Sequence, residues 1–87
     1  MIEIYTATYC GYCEKAIELL FKGGYTFKVV DITNDHIRRY ALRSKTGCKT
    51  VPQIFINEKF IGGCSDLQSL LAKDSMGSLV DSEANEE

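Results

Sequence analysis

Residues 6–24 read TATYCGYCEKAIELLFKGG, and they set two thiols, Cys10 and Cys13, at the head of a run with helical spacing. Cys13, Ala16, Ile17, Leu20 and Phe21 fall on one face of that run, with Glu14, Lys15 and Glu18 mostly opposite. Glu18 and Lys22 attract at i,i+4, whereas Glu14 and Glu18 repel at the same spacing. Gly23 and Gly24 end the helix, because glycine takes left-handed backbone angles at little cost. Just upstream, Ile2, Ile4 and Thr6 alternate with Glu3 and Tyr5, which predicts a strand. The stretch is therefore a strand, a short bend over residues 7–9 and a helix, with a cysteine at the join.

That position has chemical consequences. The N–H groups of a first helical turn lack partners within the helix, and the dipole adds partial positive charge. Both favour a thiolate over a thiol, which makes Cys10 the candidate nucleophile. Cys13 comes almost one turn later on the buried face, able to close a disulfide with Cys10 but sheltered from first attack. An exposed attacker with a sheltered resolver is what two-step thiol–disulfide exchange requires. A C-x-x-C beside a β-α-β pattern carries the same redox signal. Zinc would need two more ligands. Cys48 and Cys64 stand 16 positions apart, not as a second C-x-x-C, and His36 is the sole histidine. A structural disulfide does not suit a reducing compartment. Cys48 and Cys64 read as small hydrophobes, and His36 as a solvated helix residue.

Working outward, YTFKVVDIT (residues 25–33) is rich in β-branched and aromatic residues and predicts a second strand. Thr33, Asn34 and Asp35 offer N-cap oxygens to a second helix. Its expected buried face is Ile37, Tyr40 and Ala41, with Arg38, Arg39 and Arg43 in water. KTGCKT (residues 45–50) breaks it. VPQIFIN (residues 51–57) is a third strand beginning at the only proline, and Asn57 with Glu58 turns the chain into a short fourth strand, FIG. Gly62 and Gly63 precede a third helix, CSDLQSLLAK (residues 64–73). There Ser65 and Gln68 have capping-box spacing, and Leu67, Leu70 and Leu71 form the inward stripe. The order β-α-β-α-β-β-α calls for a parallel first pair of strands, an antiparallel last pair, and a mixed sheet between helices.

The chain of 87 residues reads as one domain over residues 1–74 and an acidic, disordered tail over 75–87. Net charge is −2, yet the tail holds Asp81, Glu83, Glu86 and Glu87 with no base, so the body is +2. That balance suits an anionic small molecule and is too weak to argue for nucleic acid. The start, MIEIYT, lacks a basic region followed by a signal-length apolar run, and no stretch approaches the ~18 apolar residues of a membrane span. A cytoplasmic protein without membrane contact is expected.

Three motifs in this order and spacing, YCGYC (9–13), TVPQIFI (50–56) and IGGCSDL (61–67), resemble the glutaredoxins, the glutathione-dependent branch of the thioredoxin superfamily. The resemblance spans residues 2–73. It implies an α/β, thioredoxin-like fold: a four-stranded mixed sheet of order 2-1-3-4 flanked by three helices. It implies an enzyme that reduces protein disulfides and glutathione mixed disulfides through Cys10 and Cys13. Glutathione is then the co-substrate, and disulfide-containing or glutathionylated proteins are the partners. In such proteins the proline is cis, a state of only about 5–6% of X-Pro bonds. The backbone before it pairs with the cysteinyl part of glutathione, which assigns Thr50, Val51 and Pro52 to the ligand. Gly63, the N–H groups of Cys64 and Ser65, and the Asp66 side chain would hold the γ-glutamyl end, an anion at a helix N-terminus. Asp66 also stabilises that helix start. Tyr12 would lie along the groove.

Two departures from the family pattern stand out. Ala7 takes the place of a customary lysine three residues before the first cysteine. Lys49, or an arginine of the second helix, is the nearest substitute. Gly11 stands where many dithiol members have proline, and non-proline members include some that bind a [2Fe-2S] cluster. Such a cluster is shared by two chains, each giving its first cysteine, with two glutathione thiolates completing the sulfurs. The alternative reading is thus a homodimeric cluster carrier or sensor; otherwise a monomer is expected. A thioredoxin served by a flavoprotein reductase fits less well, since CGYC lacks the proline of CGPC and the tryptophan before it.

Overall fold

Alternation along the first strand sends Ile2, Ile4 and Thr6 into the interior and leaves Glu3 and Tyr5 half covered. The computed structural model describes residues 1–8 and 10–72. Over these the chain forms β1 (Ile2–Thr6), α1 (Gly11–Lys22), β2 (Phe27–Asp31), α2 (His36–Thr46), β3 (Gln53–Ile56), β4 (Lys59–Gly62) and α3 (Cys64–Ala72). The boundary expected at residue 74 and the acidic tail lie outside the described residues. The sheet order is β2-β1-β3-β4. β1 runs parallel to β2 and antiparallel to β3, and β3 pairs antiparallel with β4. Asn57 and Glu58 have φ of 52° and 70°, and positive values at both central residues define a two-residue type I′ hairpin.

β3 is buried along its whole length because it is covered on both faces. On one side Ile2, Ile4, Ile54 and Ile56 meet Ala16 and Leu20 of α1 and Cys64 and Leu67 of α3. On the other, Ile32, Leu42 and Phe55 form a smaller cluster. Tyr5 meets the Phe55 ring edge-on at 5.5 Å, Phe60 lies 5.3 Å away, and the Lys45 ammonium sits 5.3 Å over the same ring. Burial of a side chain such as Leu20 contributes about 1.5–3 kcal/mol, so the larger cluster carries most of the stability.

The helices depart from expectation in their facing. α1 buries Cys13, Ala16 and Leu20 as expected, but Phe21 is 76% exposed. The correction is greater in α2, where Ile37 is 86% and Tyr40 74% exposed and Ala41 faces water. Leu42 is the buried residue, with Asp35, Arg39 and Thr46 half covered around it. The helix carries two stripes at helical spacing, and the small cluster around Phe55 accepts the one led by Leu42. Asp35 caps the helix by accepting the Arg38 N–H at 2.9 Å. Gly47, left-handed at φ 75°, closes it by donating to the Arg43 carbonyl. At the end of α1 the left-handed residue is Gly24, not the cap Gly23. In α3 the expected pairing of Ser65 with Gln68 gives way to another. The Gly63 carbonyl accepts the Leu67 N–H, and Asp66 Oδ2 reaches back to the Gly63 N–H at 3.0 Å. Asp66, not Gln68, is the third residue after the cap, and the reciprocal bond needs that spacing.

Residues 48–52 are held by one buried amide. Gln53 Nε2 donates to the Cys48 carbonyl at 3.0 Å and to the Thr50 carbonyl at 3.1 Å, while its Oε1 accepts the Thr46 hydroxyl. The Val51–Pro52 bond within this segment is cis. Gln53→Ala leaves two carbonyls without their donor and is expected to cost about 1–3 kcal/mol, read as a lower urea midpoint.

Candidate active site

Cys10 is the N-cap of α1, with extended backbone at φ −109° and ψ 109°. Its sulfur does what a serine or aspartate oxygen does at other helix starts, accepting the Cys13 N–H at 3.3 Å. The Cys10 S–H in turn donates to the Val51 carbonyl at 3.3 Å, which ties the thiol to the segment clamped by Gln53. Before the helix, the Thr8 N–H donates to Thr33 Oγ1 at 2.9 Å and the Thr33 hydroxyl donates to Asp31, so the bend is anchored on the end of β2.

The two thiols differ in the way exchange requires. Cys10 is half-buried and borders an open hollow, whereas Cys13 is 2% exposed and packed beneath it. Burial above all, and then its side-chain hydrogen bond with Cys10, push the Cys13 thiol from 9.0 up to about 12, against a smaller opposite pull from the Ala7 backbone. At neutral pH Cys13 therefore stays protonated. All four cysteines are unpaired with one another. Among the described residues no group of three or more His, Cys, Asp or Glu side chains converges on a metal position. His36 is exposed at the start of α2.

Two adjoining hollows share Tyr12, Thr50 and Val51 and make one open groove. One, of about 390 Å³, is further lined by Cys48, Pro52, Gly63, Cys64, Ser65 and Asp66. The other, of about 350 Å³, adds Cys10, Gly11, Arg39 and Lys49. Every groove residue expected from the sequence thus lies along it, and Cys13 lies below its floor. The groove is polarised, with the Arg39 and Lys49 cations at one end. At the other, α3 begins and Asp66 already bonds Gly63. Gly62, at φ 131°, has no room for a Cβ because the Asp66 carboxyl fills that space, so glycine there is what lets Asp66 fold back. Ala7 is buried and brings no charge.

Cys48 and Arg39 are the groove residues that the sequence reading left undeveloped. Nothing in the spacing of Cys48 marked it. Arg39 was obscured by the facing assigned to α2. Once Leu42 is known to point inward, Arg39, three residues before it, must lie toward the sheet.

A four-stranded thioredoxin-type sheet with a half-open helix-capping thiol and a buried partner three residues on defines a thiol–disulfide oxidoreductase. The glutaredoxin family model matches residues 2–61, and the chain belongs to the glutaredoxin family. It is 39% identical over 79 residues to Glutaredoxin 3 of Escherichia coli, covering 91% of this chain and 95% of that one. Among solved structures, the holo form of glutaredoxin C1 from Populus tremula x tremuloides matches with a TM-score of 0.87 and 34% identity over 95% of this chain and 78% of that one. A buckwheat glutaredoxin–glutathione complex matches with a TM-score of 0.86 and 26% identity over 93% and 76%.

The inequality of the thiols is measurable. With iodoacetamide at pH 7.5, peptide mapping should show Cys10 alkylated and Cys13 labelled only once the chain is unfolded. The raised Cys13 value has a further consequence. Below pH 9 both folded and unfolded chains keep this proton; between 9 and about 12 only the folded chain does, so stability falls as pH rises through that window. The urea midpoint of Cys13→Ser should fall less over the same range than that of the reduced wild type.

Proposed function

We propose that the protein is a glutathione-dependent dithiol oxidoreductase of the cytoplasm, reducing protein disulfides and glutathionylated thiols. The inequality of Cys10 and Cys13 at the edge of a polarised groove carries this reading. The Cys10 thiolate, stabilised by the Cys13 N–H, attacks one sulfur of the substrate disulfide. The S–S bond breaks, a new S–S bond forms to Cys10, and the leaving thiolate takes a proton from water. When the sulfur now bound to Cys10 belongs to glutathione, a second glutathione thiolate attacks it, giving oxidised glutathione and restoring the Cys10 thiolate. When it belongs to a protein, Cys13 loses its proton and attacks Cys10, releasing the reduced protein. Two glutathiones then reduce the Cys10–Cys13 disulfide in successive exchanges.

The groove offers glutathione a matching arrangement of charge. Its glycyl carboxylate would meet Lys49 and Arg39, which replace the cation missing at Ala7. Its γ-glutamyl carboxylate would meet the N–H groups of Cys64 and Ser65 at the start of α3, and its ammonium the Asp66 carboxylate. Between them, the backbone of Thr50 and Val51 beside Pro52 would pair with the cysteinyl residue, while Tyr12 lies along it. A groove of this size is usual for a small-molecule ligand. That the buckwheat relative is a complex with glutathione supports glutathione as the ligand. The residues around Cys10 also fit the cluster reading: Gly11 and Tyr12 are exposed, and a Cβ on Gly11 would meet nothing within 4 Å. That reading leaves the buried Cys13 without a task, so the dithiol reading is preferred.

In a glutathione-coupled assay, Cys10→Ser should reduce no substrate above the uncatalysed rate. Cys13→Ser should retain turnover of glutathione mixed disulfides and lose reduction of protein disulfides that need both thiols. If Cys13→Ser keeps both activities, the resolving role is wrong. Lys49→Ala should raise the Michaelis constant for glutathione roughly two- to fivefold, as removal of one exposed charge does. An unchanged constant removes Lys49 from the site.

A further inference from the structure

The outward face of α2 is built like an inward one. Ile37, Tyr40, Ala41 and Ser44 recur at i, i+3, i+4 and i+7, the spacing of a buried stripe, yet all four are exposed. Two large apolar side chains, 86% and 74% exposed, stand side by side on a helix that is already anchored by its opposite face. Charge frames them. The helix sequence HIRRYALRSKT has four bases and no acid; helical geometry sets His36 and Arg43 along one flank of the stripe and Arg38, which also pairs with the N-cap Asp35 at 3.7 Å, along the other, while the Lys45 ammonium turns to the Phe55 ring. The same helix reaches the chemistry, because Arg39 borders the hollow that contains Cys10. An apolar strip with basic margins, on the face of α2 opposite the one through which Arg39 borders the groove, complements one kind of partner: a segment with one or two large apolar residues among carboxylates.

We infer that the exposed face of α2 is the docking surface for client proteins, and that it selects clients whose reactive cysteine is followed or preceded by an acidic segment containing a large apolar residue. The inference rests on Cys10 acting on protein-borne disulfides, and extends that reading from the thiol to the choice of client. Docking on this face leaves the groove itself, from Cys10 to Asp66, open to the client's mixed disulfide. A membrane surface is the less favoured occupant, because α2 has 11 residues and offers lipid only two large apolar groups.

The test uses two glutathionylated peptides that differ only in flank, Asp and Glu around a Leu and a Phe in one, Lys in place of the acids in the other. The glutathione mixed disulfide of mercaptoethanol is the third substrate. Wild type should favour the acidic peptide in kcat/KM by roughly five- to tenfold at low ionic strength, and 0.5 M salt should erase most of that preference. Ile37→Ser with Tyr40→Ser, and separately Arg43→Glu, should each remove most of the preference while leaving the small disulfide unaffected. Thermal melting checks that both variants are folded. Equal kcat/KM for the two peptides, or a preference that survives both variants, overturns the inference. So does a chain ending at residue 74 that gains the preference only on losing its tail, or a concentration-dependent dimer abolished by Ile37→Ser with Tyr40→Ser. Cosedimentation with vesicles of phosphatidylserine and phosphatidylcholine that the same double variant abolishes also overturns it. If wild type turns over the small disulfide but not the peptides, docking fails and the glutathione reading stands; if it turns over none, both fail.

Discussion

The structure turns on a single hydrogen bond, the N–H of Cys13 directed at the sulfur of Cys10. A helix needs an acceptor at its start, and here the acceptor is the sulfur proposed as the nucleophile. The N–H that reaches it belongs to the residue proposed as the resolving thiol. Folding α1 therefore positions both sulfurs at once. Cys13 also lies on the inward face of α1, so its thiol is buried, and burial is what keeps it protonated. One turn of helix thus produces the chemical difference between two cysteines that are alike in the sequence.

The remainder of the fold holds other groups against that turn. β1 delivers the chain to Cys10, and Thr8 fastens the bend to Thr33 at the end of β2. β3, the strand buried on both faces, begins with Gln53, whose side chain fixes the carbonyls of Cys48 and Thr50 and so sets the position of Val51 beneath the thiol. The hairpin into β4 returns the chain so that α3 starts across the groove, where Gly62 makes room for Asp66. Three connections from distant parts of the sequence meet at one edge of the sheet. The site is a property of the topology as much as of the residues.

Much of this could be read from the chain before folding was considered. The element order, the parallel and antiparallel pairings and the special position of Cys10 followed from spacing and from the rules of strand connection. The groove residues and the cis proline came from three motifs recognised together, since local physics makes cis the rarer state. What failed was the facing of α2 and of Phe21. Periodicity identifies stripes of a helix but not which stripe the sheet will take when two compete. In α2 the more apolar stripe lost to the one led by Leu42, and for the same reason the sequence offered an arginine of the second helix to the groove without singling out Arg39. The capping of α3 failed on a smaller point. A serine and a glutamine at the right interval suggested a box two residues downstream of the place where Gly63 and Asp66 form it.

The misreading of α2 is informative about function. A residue pattern that looks like core is assembled by selection for burial, and a helix has only two such opportunities: its own protein or another. α1 and α3 spend their apolar stripes on the large cluster against β1 and β3. α2 meets a smaller cluster on the other side of the sheet through a single fully inward leucine, and keeps Ile37 and Tyr40 in water. Solvation of those two side chains is unfavourable for the isolated protein, by the same reasoning that makes Leu20 stabilising. Their exposure on the outward face of α2 is consistent with a surface that is buried only when a client is present. On that proposal the labour divides across the sheet: the face packed by α1 and α3 supplies stability and carries the thiol pair, and the helix on the other face supplies recognition.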